Sequence, residues 1–318
     1  MSETESDTSP RAVLTQESLR AVVKPHFLRE AAYATRPLHW VKNLLLFVPL
    51  IAAHELLDTE RLVRVVLAFG AFCLIASGSY VVNDLVDAES DRLHATKRNR
   101  AVARRAFSRG KGWGLSLALA IGGFAAGAAV SGSFLLFVAS YLSVVVLYTL
   151  KLKASTPADV FVLAGFYILR IFAGADAAGI PVSFWLTAAS ACFFLSLALI
   201  KRFAELASLA RDRFAIPGRD YSSADLPLVA AAGIASGYMS VVVLALYINS
   251  AEVKNLYANP GFLWTVCALA QFWLTRIWLL AGRNRLPCDP VLFAVKDRTS
   301  YLIAGAALLS CLLAARKF

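Results

Sequence analysis

The sequence predicts an all-α, polytopic membrane protein, a bundle of nine spanning helices with its cap loops on the cytoplasmic side. Three observations predict it. Of 318 residues, 58% are hydrophobic and 17% charged, against roughly 45–50% and 25% in soluble domains. Mean hydropathy is +0.63, and apolar runs of about 20 residues, long enough to cross a hydrocarbon core, recur along the chain. Lys and Arg cluster in alternate connections, so that 25 of 32 fall on the side of the N-terminus.

Taken in order, the opening MSETESDTSP is acidic and polar, a composition that cannot bury a core. The stretch RAVLTQESLRAVVKPHFLREAAYATRP mixes small apolar clusters with charges and reads as interfacial and amphipathic. Residues 1–35 are therefore expected to be a cytoplasmic tail, part disordered and part amphipathic. No short apolar core with a small-residue cleavage site follows, so no signal peptide is expected. Spans are predicted at 39–57, 62–83, 113–131, 134–150, 158–176, 182–200, 228–250, 261–281 and 299–315. Charge clusters and the turns VSGSF, GIPVS and NPGF separate them. With no sequence repeat and no soluble insertion, 36–318 reads as one transmembrane domain.

Outside the 25 clustered residues stand Arg61, Arg64, Lys254, Arg316 and Lys317, with Arg170 and Arg276 inside spans. The positive-inside rule then gives a cytoplasmic N-terminus, an external C-terminus and residence in the cytoplasmic (inner) membrane. The net charge of +11 lies mostly on one face, where it suits anionic lipid. Nucleic acid is excluded as a partner because no soluble module carries the charge. Cys73, Cys192, Cys267, Cys288 and Cys311 are scattered and read as small apolar residues; the four histidines are too dispersed for a zinc site.

One stretch breaks the apolar pattern: YVVNDLVDAESDRLHATKRNR, residues 80–100. At about 100° per residue, Asp84, Asp87 and Asp91 fall within roughly 60° of one helical face. Carboxylates so close repel one another, and Mg²⁺, which takes carboxylate and phosphate oxygens together, relieves the repulsion. Asn83 adds an amide oxygen. The alternative is a helix end with ordinary solvated acids.

Behind the acids come Lys97, Arg98, Arg100, Arg104 and Arg105. They make either surface ion pairs of little value or a grip on a diphosphate, Arg as a planar fork and Lys as a point charge. More polar residues sit at span ends on the same side: Lys42 and Asn43, Tyr148, Lys151 and Lys153, Lys201, Arg202 and Glu205, then Asp289, Lys296, Asp297 and Arg298. Arg170, within a span, is a functional suspect by default. Together they predict an anionic pocket at the cytoplasmic caps.

NDLVDAESD resembles the N-D-x-x-D-x-x-x-D signature of UbiA-type intramembrane transferases. That resemblance implies nine helices around a central cavity, with Mg²⁺ and a diphosphate at the caps. RPLHWVKNLLLFVPL (36–50), DRLHATKRNR (91–100), YILRIFAGADAAGIPVSFWL (167–186), KRFAEL (201–206) and DPVLFAVKDRTS (289–300) are similar to the decaprenyl-phosphate phosphoribosyltransferase branch. The branch implies transfer of phosphoribose from phosphoribosyl diphosphate to a polyprenyl phosphate, giving a lipid-linked precursor of D-arabinose donors for cell-wall arabinan, glycolipids or nodulation signals.

Two departures stand out. The second Asp-rich motif of the aromatic prenyltransferases is missing: the loop after span six has Asp212, Asp220 and Asp225 at irregular spacing. The branch's H-P-x-K and R-P-x-A-x-G become His94-Ala95-Thr96-Lys97 and Arg100-Ala101-Val102-Ala103-Arg104. The implied roles place Mg²⁺ on Asp84, Asp87 and Asp91, with Lys97, Arg98 and Arg100 on donor phosphates. Lys42, Lys151, Arg170, Lys201 and Arg202 are shared between the donor 5-phosphate and the acceptor phosphate. The alternatives are prenyl transfer to an aromatic acceptor and a non-catalytic polyprenyl-phosphate binder.

Overall fold

The computed structural model describes residues 27–93, 97–212, 220–286 and 289–315. Every element among them is helical. Eight helices are long and apolar enough to cross a membrane, and their apolar outer faces make this an integral membrane protein. They are α3 (Thr59–Val86), α5 (Arg109–Val130), α6 (Gly132–Leu150), α7 (Ala158–Ala178), α8 (Phe184–Asp212), α9 (Leu226–Ile248), α11 (Leu263–Gly282) and α13 (Arg298–Ala315). Shorter helices fill the connections: α1 (Phe27–Thr35), α2 (Val48–Ala52), α4 (Ala88–Leu93), α10 (Ala251–Leu256) and α12 (Pro290–Ala294). Side-chain oxygens cap several starts, as where Asp58, Ser108 and Ser131 accept from Arg61, Lys111 and Phe134 amides.

The first predicted span, 39–57, takes another form. A 3₁₀ helix, Pro37–Phe47, runs into α2. At about 2 Å per 3₁₀ residue and 1.5 Å per α residue, Pro37–Ala52 covers roughly 30 Å, the thickness of a hydrocarbon core. With three residues per turn, i and i+3 eclipse, so the segment is a three-sided prism that continues into α2. Trp40, Asn43, Leu46 and Pro49 face the bundle: Trp40 Nε1 donates to Ser77 Oγ at 3.0 Å, and Asn43, Leu46 and Pro49 are buried. Leu38 and Leu44 face outward, 61% and 51% exposed. Arg36, His39, Lys42, Leu45 and Val48 share the third side.

Two large apolar clusters form most of the interior, with smaller ones around Val81 and Val253. One joins the 3₁₀ segment with α3, α6 and α7 through Leu46, Phe72, Ile75, Phe134 and Ala173. The other joins α7, α8, α9 and α11 through Ile171, Phe194, Leu197, Ile277 and Trp278. Helix α7 is the shared wall, and it meets the 3₁₀ segment backbone to backbone. A Cβ on Gly174 would fall 2.0 Å from the Leu46 carbonyl oxygen, so only glycine fits.

Candidate functional site at the polar end of the bundle

The carboxylate motif does not lie on one continuous helix. Helix α3 ends at Val86, Asp87 is its C-cap, and Asp91 belongs to α4. The turn still brings two of the three acids together. Asp84 and Asp91 are each about 2% exposed, and one nitrogen, Arg100 Nη1, lies 3.3 Å from Asp84 Oδ1 and 2.7 Å from Asp91 Oδ2. Arg36 Nη2 reaches the same Asp84 oxygen at 2.5 Å. Asp87 instead meets Lys153 Nζ at 3.2 Å, and the Asn83 amide oxygen accepts from Thr149 Oγ1 at 2.8 Å. Around Asp84 opens a cavity of about 340 Å³, walled by Tyr33 and Arg36 on one side and Asn99, Arg100 and Arg104 on the other. Glu30 of α1 pairs with Arg104, fastening α1 over this cavity.

A second cavity, about 230 Å³, is almost wholly apolar. Leu45 and Val48, Ile171 of α7, Phe193 and Phe194 of α8, and Val241 and Leu244 of α9 line it. Lys42 stands one 3₁₀ turn from Leu45, Tyr167 one α turn from Ile171, and Lys201 two turns from Phe194. Helical geometry thus sets a cationic cluster over the polar end of the apolar cavity. Lys42 Nζ donates to Asp289 Oδ2 at 2.5 Å and lies 5.9 Å from the Tyr167 ring centre; Lys201 feels both charges. Asp289 also caps α12, accepting from the Val291 and Leu292 amides at 3.1 and 3.2 Å. Burial pushes its carboxyl up, but Lys42 and Lys201 outweigh burial and hold it below the usual carboxylate range.

Several expected binding residues have partners inside the protein. Arg170 is buried among neutral groups: Nε donates to Asn43 Oδ1 at 2.7 Å, Nη1 to the Phe166 carbonyl at 2.6 Å, and Nη2 to the Tyr141 hydroxyl at 3.0 Å. It fixes the 3₁₀ segment. Arg202, fully buried, pairs with Asp159 and Glu205, and Tyr148 lies against the same three. Tyr221 donates to Asp159 Oδ1 at 2.8 Å, so this group joins α7, α8 and the segment before α9. Asp297 forks with Arg276 at 2.7 and 2.9 Å and caps α13 through the Ser300 amide.

Arg98, Arg105, Lys151, Lys296 and Arg298 are exposed. The Lys97 side chain and His94–Thr96 lie outside the described residues, as does the 1–26 part of the expected tail. Sequence reasoning missed Arg36, Glu30, His39 and Asp159. For Arg36 a signal existed, a basic residue immediately before the proline that opens a span. For Asp159 there was none, since an acid in a helix's first turn is ordinary.

Comparison with known proteins gives the family and the fold. Residues 44–297 match the UbiA prenyltransferase family, and the chain belongs to that family. Among relatives, the nodulation protein NoeC of Azorhizobium caulinodans is 39% identical over 86% of this chain and 90% of its own length. Protein y4nM of Sinorhizobium fredii is 36% identical over 89% of this chain, which spans 55% of y4nM. The decaprenyl-phosphate phosphoribosyltransferase of Mycolicibacterium smegmatis is 34% identical over 54% of this chain and 56% of that protein. In fold, a UbiA homolog from Archaeoglobus fulgidus bound to GPP and Mg²⁺ matches with a TM-score of 0.67 at 16% identity, over 88% of this chain and 99% of that one.

Proposed function

We propose that this chain transfers 5-phosphoribose from phosphoribosyl diphosphate to a polyprenyl phosphate of the decaprenyl type, with Mg²⁺, at the cytoplasmic face of the inner membrane. The product would be a lipid-linked precursor of D-arabinose donors. One observation carries the reading: along one side of the 3₁₀ segment, Arg36 borders a cavity that Asp84, Arg100 and Arg104 also line, and Lys42 stands one turn before Leu45, which lines an apolar cavity. The first has the chemistry for a diphosphate, the second for an anionic lipid. Resemblance to the decaprenyl-phosphate phosphoribosyltransferases supports the same choice.

The residues present fit the metal. Two carboxylates already converge on one cationic nitrogen of Arg100, and Mg²⁺ is commonly held by one or two carboxylates plus substrate phosphates. Among the described residues no group of three acidic, His or Cys side chains forms a protein-only cage; substrate phosphate oxygens would complete the set. Asp84 and Asp91 would hold the ion, with Asp87 and Asn83 nearer the rim; when bound, it supplies charge neutralisation to a departing diphosphate.

The protein's own part is binding and orientation. Arg36 and Arg100 pass from carboxylate to phosphate oxygens as the donor enters, a guanidinium fork being suited to either. Lys42 and Lys201 hold the acceptor phosphate while the apolar cavity receives the first units of its tail. Buried carboxylates near the donor stabilise positive charge developing on the sugar. The acceptor phosphate is already ionised and needs no strong base to attack C1.

Purified protein in lipid, given Mg²⁺, phosphoribosyl diphosphate and polyprenyl phosphate, is expected to yield a phosphoribosylated lipid by mass spectrometry, and Asp84→Ala to abolish it without unfolding the bundle. Turnover of isoprenyl diphosphate instead would identify an aromatic prenyltransferase. Lipid-phosphate binding indifferent to Mg²⁺ and to Asp84 would identify a carrier.

A further inference from the structure

The third side of the 3₁₀ prism connects the two cavities. Arg36 reaches Asp84 and lines the acidic cavity. Lys42 holds Asp289, and Leu45 and Val48 line the apolar cavity. Midway stands His39, one turn from each cation, which at about 2 Å per residue is roughly 6 Å along the axis in either direction, near the width of a pentose ring. The i→i+3 bond from His39 N to Arg36 O, 2.9 Å, belongs to this geometry. An α-helix would turn these positions progressively away from one another; the 3₁₀ form keeps them in line.

His39 is the one neutral hydrogen-bonding side chain on that side. Its ring packs edge-on against Tyr80, centroids 5.1 Å apart, and the Arg36 guanidinium lies over the same Tyr80 ring at 5.3 Å. Tyr80 therefore sets the direction of both side chains. Charges on either flank suit phosphate oxygens. The half-buried imidazole between them suits an uncharged group that donates and accepts, and an isoprenyl chain offers none there.

We propose that His39 hydrogen-bonds a ring hydroxyl of the transferred sugar, and so makes the site selective for a pentosyl diphosphate over an isoprenyl diphosphate. This rests on the phosphoribosyl reading above. His39 becomes a specificity-determining residue that touches substrate, and the 3₁₀ helix the ruler that spaces donor phosphate, sugar and acceptor phosphate.

The test uses the full chain in lipid, with phosphoribosyl diphosphate and its 2-deoxy and 3-deoxy analogues as donors. His39→Leu should lower kcat/KM for the parent donor about tenfold or more, the loss of one well-placed hydrogen bond, while His39→Asn retains most of it. With one of the deoxy donors, wild type and His39→Leu should become equal. Equilibrium binding of the same donors should show the same pattern without turnover, and melting temperatures report the fold of each variant. An equal penalty on all three donors, or no penalty on any, overturns the proposal. If wild-type protein turns over no phosphoribosyl donor, the functional reading itself has failed, which is a separate result.

Discussion

Arg202 and Asp159 both have no solvent exposure, and each is the reason the other can be buried. Removing one member of such a pair leaves a bare charge in a medium that cannot solvate it. Asp159→Ala is expected to cost about 3–5 kcal/mol, read as a fall in melting temperature in detergent, whereas Tyr221→Phe, losing one bond to a charged group, should cost about 1.5–3 kcal/mol. Asp289 carries a pH signature. Its depressed acid stabilises the fold at pH above the unfolded value, about 3.9 for Asp, and that contribution disappears as pH falls through the lower folded value. Melting temperature should therefore decline below about pH 4, and Asp289→Asn, still able to cap α12, should flatten that decline. Of the residues singled out from sequence alone, Asp84 and Arg100 line a cavity, Asp91 holds Arg100 from behind, and Lys42 stands one turn before Leu45, which lines the other cavity. Arg202 and Asp297 turned inward because their partners, Asp159 and Arg276, are distant in sequence and adjacent only after folding.

The helices show where pattern reading has its reach. Long apolar runs bounded by turn residues forecast α3, α5–α7, α9, α11 and α13 within a few residues, because length against bilayer thickness is a strong constraint; α8 begins where expected but runs on to Asp212, twelve residues past the predicted end. The 3₁₀ form of Pro37–Phe47 was not legible: an apolar run looks alike at 3.0 and 3.6 residues per turn until its neighbours are known. Its cause lies partly across the chain. Gly174 lets the Leu46 backbone come close, while Arg170 draws in Asn43. Gly174→Ala should push the segment off α7, costing about 1–3 kcal/mol as overpacking does and lowering turnover further than the stability change predicts. Paired melting and rate measurements check this. The three-acid face was forecast as one helix, but it bends at Asp87 because α3 stops there, and Asp84 and Asp91 meet across the bend.

At the scale of the molecule, the two main apolar clusters share α7, and the 3₁₀ segment borders both cavities, through Arg36 and through Leu45 and Val48. The bias of Lys and Arg predicts which end faces the cytoplasm: a cysteine introduced at exposed Lys151 should react with impermeant reagent only from inside, and one at Lys254 only from outside, in oriented vesicles. Labelling in the reverse sense would invert the topology. Class of protein and polar end were readable from composition and spacing; which cation serves which cavity needed the arrangement in space. The prism at Pro37–Phe47 has a last consequence, for the gene rather than the enzyme. A one-codon insertion after Lys42 would turn every later side chain a third of a revolution, moving Asn43 off its arginine and putting the inserted residue in its place. Point substitutions there can be graded in effect, but only insertions or deletions in multiples of three residues keep the sides in phase.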